Sequence, residues 1–303
     1  MGELNETIVV TSHPDHVKSL FTANPDDAPS LTGESPLRPI VGPNSVLTSV
    51  GARHMRQRGE EVFFLTGTDE HGEPVALAAE REGVSPQELA DRNAERFKAL
   101  APLLHASNDF FIRTSDPEHV RRVQEFLTRV KDNGYVYEGT YDGWYCPRCA
   151  DFKNENEIGP DNTCLIHEGF PLVLEHEENY FFKLSAYQQQ LLDFYDANPD
   201  FIQPESARNE VISFVSRGLR DLSISRSTFD WGISVPWDDK HVLYVWIEAL
   251  LNYATAIGYG TDSKRFDEVW PANIHLVGKD IARFHAVIWP AMLMGYGGRR
   301  QCS

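Results

Sequence analysis

The most informative pattern in the chain is a short apolar run that leads directly into a polar cluster. Residues 62–65 are all apolar, and residues 66–72 add hydroxyl, carboxylate and imidazole groups bracketed by two glycines. A run of this length predicts a buried parallel strand at 62–66. Ligands of open parallel sheets bind beyond the carboxyl ends of the strands, so the cluster is a candidate binding site. On spacing alone, a solvated glycine-rich turn explains it equally well.

Other segments alternate between helical and strand patterns. Ser85 and Glu88 form a capping box with Pro86 at the first helical position, which predicts a helix start. The remaining predicted elements are helices at about 49–58, 117–133, 185–196 and 207–218, strands at 110–113 and 179–184, and a strand that passes into a helix within 242–253. This alternation predicts an α/β fold built on a doubly wound parallel sheet.

Composition narrows the function classes. The chain has 303 residues, room for two domains, and 41% hydrophobic residues, enough for a packed core. Its net charge of −17 argues against a general nucleic-acid binder. It has no apolar run of the ~20 residues that would span a membrane, and its first residues have no secretory pattern. We therefore expect a cytoplasmic protein with no membrane partner.

Three of the four cysteines fall close together and suggest a metal site. Cys146, Cys149, Cys164 and His167 have the spacing C-x2-C-x14-C-x2-H. Two short-spaced ligand pairs are typical of structural zinc, which prefers four sulfur or nitrogen donors in a tetrahedron. The alternative is a disulfide or buried free thiols, which is less favoured in a cytosolic chain. The sequence predicts one structural Zn²⁺.

Four stretches together resemble one enzyme family. These are T-G-T-D-E-H-G at 66–72, S-I-S-R at 223–226, W-G-I-S-V-P at 231–236 and G-K-D at 278–280. They resemble the methionyl-tRNA synthetases over about 59–296. The resemblance implies a Rossmann-like class I synthetase fold interrupted by a zinc-knuckle insertion. The implied activity is ATP-dependent activation of methionine followed by its transfer to tRNA, with Mg²⁺ accompanying ATP.

The resemblance also assigns site residues. Asp69 matches the aspartate that holds the substrate amino group. Positions that match the lining of the methionine pocket are Trp246, Ala249, Tyr253, Phe284, His285 and Trp289, and positions that match the adenosine site are Gly278, Lys279 and Asp280. Without the resemblance, ordinary core packing explains the aromatic residues equally well.

Two phosphate-binding motifs of class I synthetases, H-I-G-H and K-M-S-K-S, do not occur in the 303 residues. His13 and His16 have H-x-x-H spacing, but five prolines separate them from residue 66 and forbid the single helix that the family places there. We therefore reject this pair as an H-I-G-H. The sequence predicts a truncated catalytic unit with unidentified catalytic residues and little activity of its own.

Residues 8–58 resemble a different family. Residues 13–18, 36–39, 42–45 and 51–58 are similar to the amino-terminal region of haem-thiolate monooxygenases. The cysteine loop that binds haem in that family, F-x-x-G-x-R-x-C-x-G, does not occur, so we expect no haem. The predicted organisation is a foreign segment at 1–58, the first catalytic half at 59–137, the insertion at 138–228 and the second catalytic half at 229–303.

Two alternatives stay open. The chain could be a class I synthetase for another aliphatic amino acid. It could also be a catalytically inactive, zinc-stabilised module that binds methionine or a nucleotide, because both phosphate motifs are missing.

Overall fold

The computed structural model describes residues 7–11, 52–103, 107–148, 151–153, 157–167 and 169–297. The strands are β1 (Thr7–Thr11), β2 (Leu65–Thr68), β3 (Phe110–Arg113), β4 (Val136–Cys146), β5 (Asp151–Lys153), β6 (Ile158–Gly159), β7 (Thr163–Cys164), β8 (Phe170–Pro171), β9 (Val173–Phe182), β10 (Ile202–Gln203), β11 (Leu222–Ser223), β12 (Ser225–Arg226), β13 (Ser234–Val235), β14 (Asp238–Leu243) and β15 (Ile274–Gly278).

The helices are α1 (52–57), α2 (Glu73–Glu82), α3 (Pro86–Leu103), α4 (Pro117–Asp132), α5 (Gln188–Ala197), α6 (Glu205–Ser216), α7 (Val245–Ala249), α8 (Asn252–Thr255), α9 (Ser263–Val269) and α10 (Trp289–Tyr296). Short 3₁₀ turns occupy Pro160–Asn162, Leu184–Tyr187 and Lys279–Ile281, and a π-helix occupies Phe284–Ile288. Among the described residues we find no helix with the length and apolar character needed to cross a membrane.

The parallel strands form two hydrogen-bonded groups. β1 lies between β10 and β15 and is parallel to both, and β2 is parallel to β3. The predicted α/β class with parallel strands is confirmed, although within the described ranges the ladder is not one continuous sheet. β1 belongs to the segment predicted to be foreign, and its backbone forms the middle strand of the first group.

The strands of the segment predicted to be an insertion are antiparallel. Its main sheet has the order β11-β9-β4-β5, and a small sheet of β6, β7 and β8 carries part of the predicted metal site. The long pairing of β4 with β9 extends from Val136 opposite Phe182 to Tyr145 opposite Val173. Along the chain, the antiparallel strands β4 to β9 follow β3 and precede β10.

Most predicted elements lie within a few residues of their expected positions. Ser85 Oγ accepts a hydrogen bond from the Glu88 backbone N–H at 3.1 Å, which confirms the predicted start of α3.

The strand expected at 62–66 instead runs from Leu65 to Thr68. Phe64 is buried, but its backbone N–H donates to the Asp109 carboxylate at 2.7 Å and its carbonyl accepts from the Asp109 N–H at 2.8 Å. The Phe64 backbone is thus hydrogen-bonded to Asp109 and not to a neighbouring strand.

One core supports both halves of the parallel architecture. It joins α4, α5, α6, the segments around β14 and β15, and α10, and its fully buried side chains include Phe126, Leu191 and Trp289. The Tyr195 hydroxyl donates to the Ala286 carbonyl at 2.6 Å and fastens α5 of the insertion to the π-helix. The core therefore fixes the position of the segments that carry the candidate site.

Candidate functional site

Residues 69–72 of the polar cluster follow the carboxyl end of β2, whereas residues 66–68 are part of that strand. Gly67 of β2 faces Ile112 of β3 so closely that a Cβ at this position would clash with the Ile112 carbonyl oxygen. The strand end can therefore tolerate only glycine without moving. Beyond it, Thr114 Oγ1 accepts from the Glu70 backbone N–H at 3.0 Å and lies 3.5 Å from Asp69 Oδ1. This contact orients the Asp69 loop.

Glu70 anchors the loop. Its buried carboxylate accepts from Arg113 Nε at 2.7 Å, from the second Arg113 nitrogen at 2.9 Å and from Thr68 Oγ1 at 2.6 Å, and Ser115 Oγ also donates to it. Its carbonyl accepts from Trp231 Nε1 at 2.6 Å. A bidentate arginine pair fixes a carboxylate in direction as well as in position. Glu70 therefore has a structural role.

We expect Glu70→Gln to lower the free energy of unfolding by about 2 kcal/mol, because it removes the buried partner of the Arg113 guanidinium and leaves it only the more exposed Asp91, at 2.6 Å. Urea unfolding of the purified variant measures this. The matched control is Glu82→Gln, since Glu82 pairs with Arg92 while about half exposed and should cost less than about 1 kcal/mol. Equal stabilities of the two variants would contradict the anchoring role.

Asp69 is more exposed than its neighbour Glu70. The residue is exposed on one side, whereas the surrounding protein crowds its carboxylate. This desolvation raises the pKa of Asp69 well above its usual range, and the negative charges of Glu248 and then Glu70 raise the pKa further. A carboxylate that is costly to ionise and open to one side is suited to bind a cation.

A second carboxylate lies behind the loop. Glu248 of α7 is completely buried, and its two oxygens lie 2.8 Å from His71 Nδ1 and 3.2 Å from His119 Nε2. Thr255 Oγ1 lies 2.8 Å from the other nitrogen of His119. These contacts connect the Asp69 loop, α4 and α7.

The aromatic residues assigned to the pocket meet in two pairs. Trp246 of α7 stacks on Phe284 with ring centroids 4.3 Å apart and an interplanar angle of 17°. The Tyr253 hydroxyl lies 2.7 Å from His285 Nε2, and His285 Nδ1 lies 3.0 Å from the Ile281 carbonyl. Because only a protonated Nδ1 can donate to that carbonyl, Tyr253 donates its proton to Nε2. Phe284 and His285 begin a π-helix, a geometry that is frequent at functional sites.

His285 keeps this arrangement over a wide pH range. Burial lowers the pKa of His285 to about 4, with a further lowering by the nearby His275, against the raising effect of the Ile281 carbonyl. The ring is therefore neutral at physiological pH and accepts the Tyr253 proton.

The remaining assigned residues are distributed between core and sheet edge. Ala249 is buried, and Trp289 is fully buried, with its ring edge-to-face against Trp270. Gly278 ends β15 opposite Thr11 of β1, and the exposed Lys279 pairs with Glu210 at 3.2 Å. The Asp280 side chain and Cys149 lie outside the described part, as do residues 12–51 of the monooxygenase-like segment.

Three of the four predicted metal ligands come together in the insertion. Cys146, Cys164 and His167 have donor atoms within 4.8 Å of one another, and neither described cysteine is in a disulfide. His167 Nδ1 lies 3.7 Å from Cys146 Sγ and 3.8 Å from Cys164 Sγ. Zinc–ligand distances of ~2.3 Å and ~2.0 Å in a tetrahedron place sulfur and nitrogen about 3.5 Å apart, close to the two observed distances, so the donor set fits zinc.

The charge state of Cys164 also suits a metal ligand. Burial raises the pKa of its thiol, but hydrogen bonds from the backbone and imidazole of His167 and from Cys146 outweigh this effect and bring the pKa to about 6. A large thiolate fraction at neutral pH results, and the thiolate is the form that binds metals.

The sequence reasoning missed Glu248, Arg113 and His119. Glu248 had a usable signal, because it is the single charged residue in the apolar run 242–251. Arg113 ends an apolar strand in the same way. His119 lies in a polar helix sequence and gave no such signal.

Comparison with known proteins identifies the fold and family. A family model described as tRNA synthetases class I (M) matches residues 42–165 and 160–302, so this match begins upstream of the expected boundary at 59. The methionine–tRNA ligase of Streptomyces coelicolor is 54% identical over 261 residues, which cover 84% of this chain and 48% of that protein. The methionine–tRNA ligase of Thermotoga maritima is 49% identical, over 84% of this chain and 40% of that protein.

A solved structure is similar to this chain in fold and in sequence. Mycobacterium tuberculosis methionyl-tRNA synthetase in complex with methionyl-adenylate aligns with a TM-score of 0.79 at 42% identity, over 96% of this chain and 54% of that chain. The fold is that of a class I tRNA synthetase. The chain belongs to the methionyl-tRNA synthetase family, and it spans about half the length of the relatives that it matches.

Proposed function

We propose that this chain binds methionine and the adenosine part of ATP as part of a methionine–tRNA ligase. The observation that carries the proposal is the direct connection between the Asp69 loop and α7, which bears Trp246, through the His71–Glu248 hydrogen bond of 2.8 Å. This connection supports a single site in which a carboxylate faces an ammonium group and aromatic rings face an apolar side chain. The relatives named above support methionine as the amino acid.

The chemistry of the side chains favours methionine over another aliphatic amino acid. Trp246 and Phe284 offer flat, polarizable surfaces, and contacts between sulfur and aromatic rings contribute ~0.3–1.5 kcal/mol each. Asp69 would bind the α-amino group by a charge-assisted hydrogen bond. Gly278 would let the adenosine approach the backbone closely, and Lys279 and Asp280 would complete the adenosine site with Mg²⁺ bound to the phosphates.

We further propose that Cys146, Cys149, Cys164 and His167 hold a structural zinc ion in the insertion. The tRNA, as acceptor of the activated amino acid, is the proposed macromolecular partner, and the cytoplasm is the proposed compartment. In this proposal the zinc stabilises the fold of the insertion and does not contact the substrates.

The alternative of an inactive binding module shares the same methionine site and differs in catalysis. It is favoured by the absence of H-I-G-H and K-M-S-K-S from the 303 residues. Methionine-dependent pyrophosphate exchange distinguishes the two proposals.

Methionine should change the tryptophan fluorescence of the purified chain, and Trp246→Ala should remove the change. Because this variant also removes the reporter, calorimetry should follow binding in parallel and show a loss of affinity of at least ~30-fold, as expected for a central aromatic contact worth ~2 kcal/mol. Trp144 is the matched control, since it is half-buried beside Cys146 and Cys164. Trp144→Ala should bind methionine normally. Unchanged affinity in Trp246→Ala would place the pocket elsewhere, and no binding by the unaltered chain would overturn the proposed function.

A further inference from the structure

Glu248 is a buried charge that the assignment of substrate contacts leaves unexplained. It lies on α7 within an apolar run and has no exposed surface. Burial of a carboxylate costs several kcal/mol unless hydrogen bonds compensate for the lost water. A hydrophobic residue would suit this position better if packing were its only role. The carboxylate must therefore be explained by its contacts.

The hydrogen-bond pattern fixes the direction of these contacts. Thr255 Oγ1 donates to the Asn252 carbonyl at 3.3 Å and lies 2.8 Å from His119 Nδ1. A carboxylate oxygen accepts hydrogen bonds, so His119 Nε2–H is the donor to Glu248 at 3.2 Å. His71 donates its Nδ1–H to the other oxygen. Both oxygens of the buried carboxylate therefore have a hydrogen-bond partner.

The contacts place Glu248 between the two ends of the proposed amino-acid site. His71 is two positions from Asp69 on the same loop, and Trp246 is two positions from Glu248 on α7. A shift of Glu248 would move the Asp69 loop relative to the aromatic pair. The same bond therefore sets the spacing between the ammonium end and the side-chain end of a bound amino acid.

Of the acidic residues near Asp69, Glu70 is paired with an arginine. Arg113 neutralises Glu70 through two hydrogen bonds. No lysine or arginine within the described ranges forms an ion pair with Asp69 or Glu248. Burial raises the pKa of Asp69, and the negative charge of Glu248 raises it further. This part of the site has an excess of negative charge that an ammonium group would relieve.

We propose that Glu248 is a positioning and specificity-determining residue. Through His71 it holds the Asp69 loop against α7, and its buried charge strengthens the preference of the site for a ligand that carries an ammonium group. This inference rests on the proposed function, since it concerns the same amino-acid site.

The test compares two ligands by calorimetry on the 303-residue chain. The ligands are L-methionine and 4-(methylsulfanyl)butanoate, which has the same side chain and carboxylate but no amino group. Glu248→Gln should weaken methionine binding about tenfold and leave the affinity for the deaminated ligand within about twofold. Glu248→Asp, which keeps the charge, should restore the preference for methionine to within about threefold of the unaltered chain. Glu268→Gln, the same substitution at an exposed residue, should change neither affinity.

Each result decides the inference. An equal loss of both ligands in Glu248→Gln would assign Glu248 a purely structural role, and an unchanged preference for methionine would also overturn the proposal. If Glu248→Gln does not fold, His71→Ala breaks the same connection at the loop and should lower methionine affinity selectively. Unaltered selectivity in that variant would contradict the inference. Failure of the unaltered chain to bind either ligand would overturn the proposed function, and the inference with it.

Discussion

The purified 303-residue chain should catalyse methionine-dependent exchange of pyrophosphate with ATP at least ~10³-fold more slowly than a relative such as the S. coelicolor enzyme. The chemical step develops negative charge on the phosphates, and preorganised donors that face this charge accelerate it by ~10²–10³ each. The motifs that supply such donors in class I synthetases do not occur in the sequence. Binding of methionine depends on other residues and should persist.

The experiment measures exchange and methionine binding on the same preparation. Binding without exchange would confirm the prediction. Exchange within about tenfold of the S. coelicolor enzyme, a barrier difference of only ~1.4 kcal/mol, would contradict it. In that case His13 and His16 would be the first residues to substitute, since their spacing is the nearest to a phosphate-binding histidine pair.

Cys164→Ala should reduce zinc from about one ion per chain to almost none and should unfold the small sheet of β6, β7 and β8. Cys164 is buried beside Cys146 and Leu172, and three residues are too few for an independent core. Apparent zinc-binding free energies of ~10–16 kcal/mol in small peptides show how much folding energy a structural zinc can supply. Elemental analysis and proteolysis of the insertion measure the two effects.

The control for this prediction is Cys302→Ala, which removes the one cysteine outside the motif. It should retain zinc and protease resistance. Unaltered protein that contains no zinc after preparation without chelators would contradict the metal assignment. Zinc retained in Cys164→Ala would show that the ligand set is wrong.

The sequence predicted the local features better than the long-range ones. The start of α3 could be predicted because the Ser85 side chain accepts from the Glu88 backbone N–H within one turn. The grouping of Cys146, Cys164 and His167 could be predicted because two short-spaced ligand pairs separated by a small loop are typical of a structural zinc site. In contrast, the first residues of the 62–66 run lie outside the strand because Asp109, far along the chain, binds the Phe64 backbone.

In the candidate site, too, local features could be predicted from the sequence and long-range contacts could not. The T-G-T-D-E-H-G stretch identified the loop, but the roles within it depend on partners from other elements. Glu70 is occupied by Arg113, and His71 by Glu248, so Asp69 is the acidic residue that remains open to one side. No spacing rule connects residue 71 with residue 248, because their meeting depends on the packing of α7 against the loop.

The position of β1 has a consequence for biosynthesis. Thr7 pairs with Ile274, about 270 residues later in the chain, and β10 on its other side is also distant in sequence. Ribosomes add roughly 5–20 residues per second, so the first strand waits roughly 15–50 s before its partner β15 has been made. β10, its other partner, is made earlier, so for part of this time one edge of β1 stays unpaired. The sheet is therefore completed late in synthesis, when β15 joins β1.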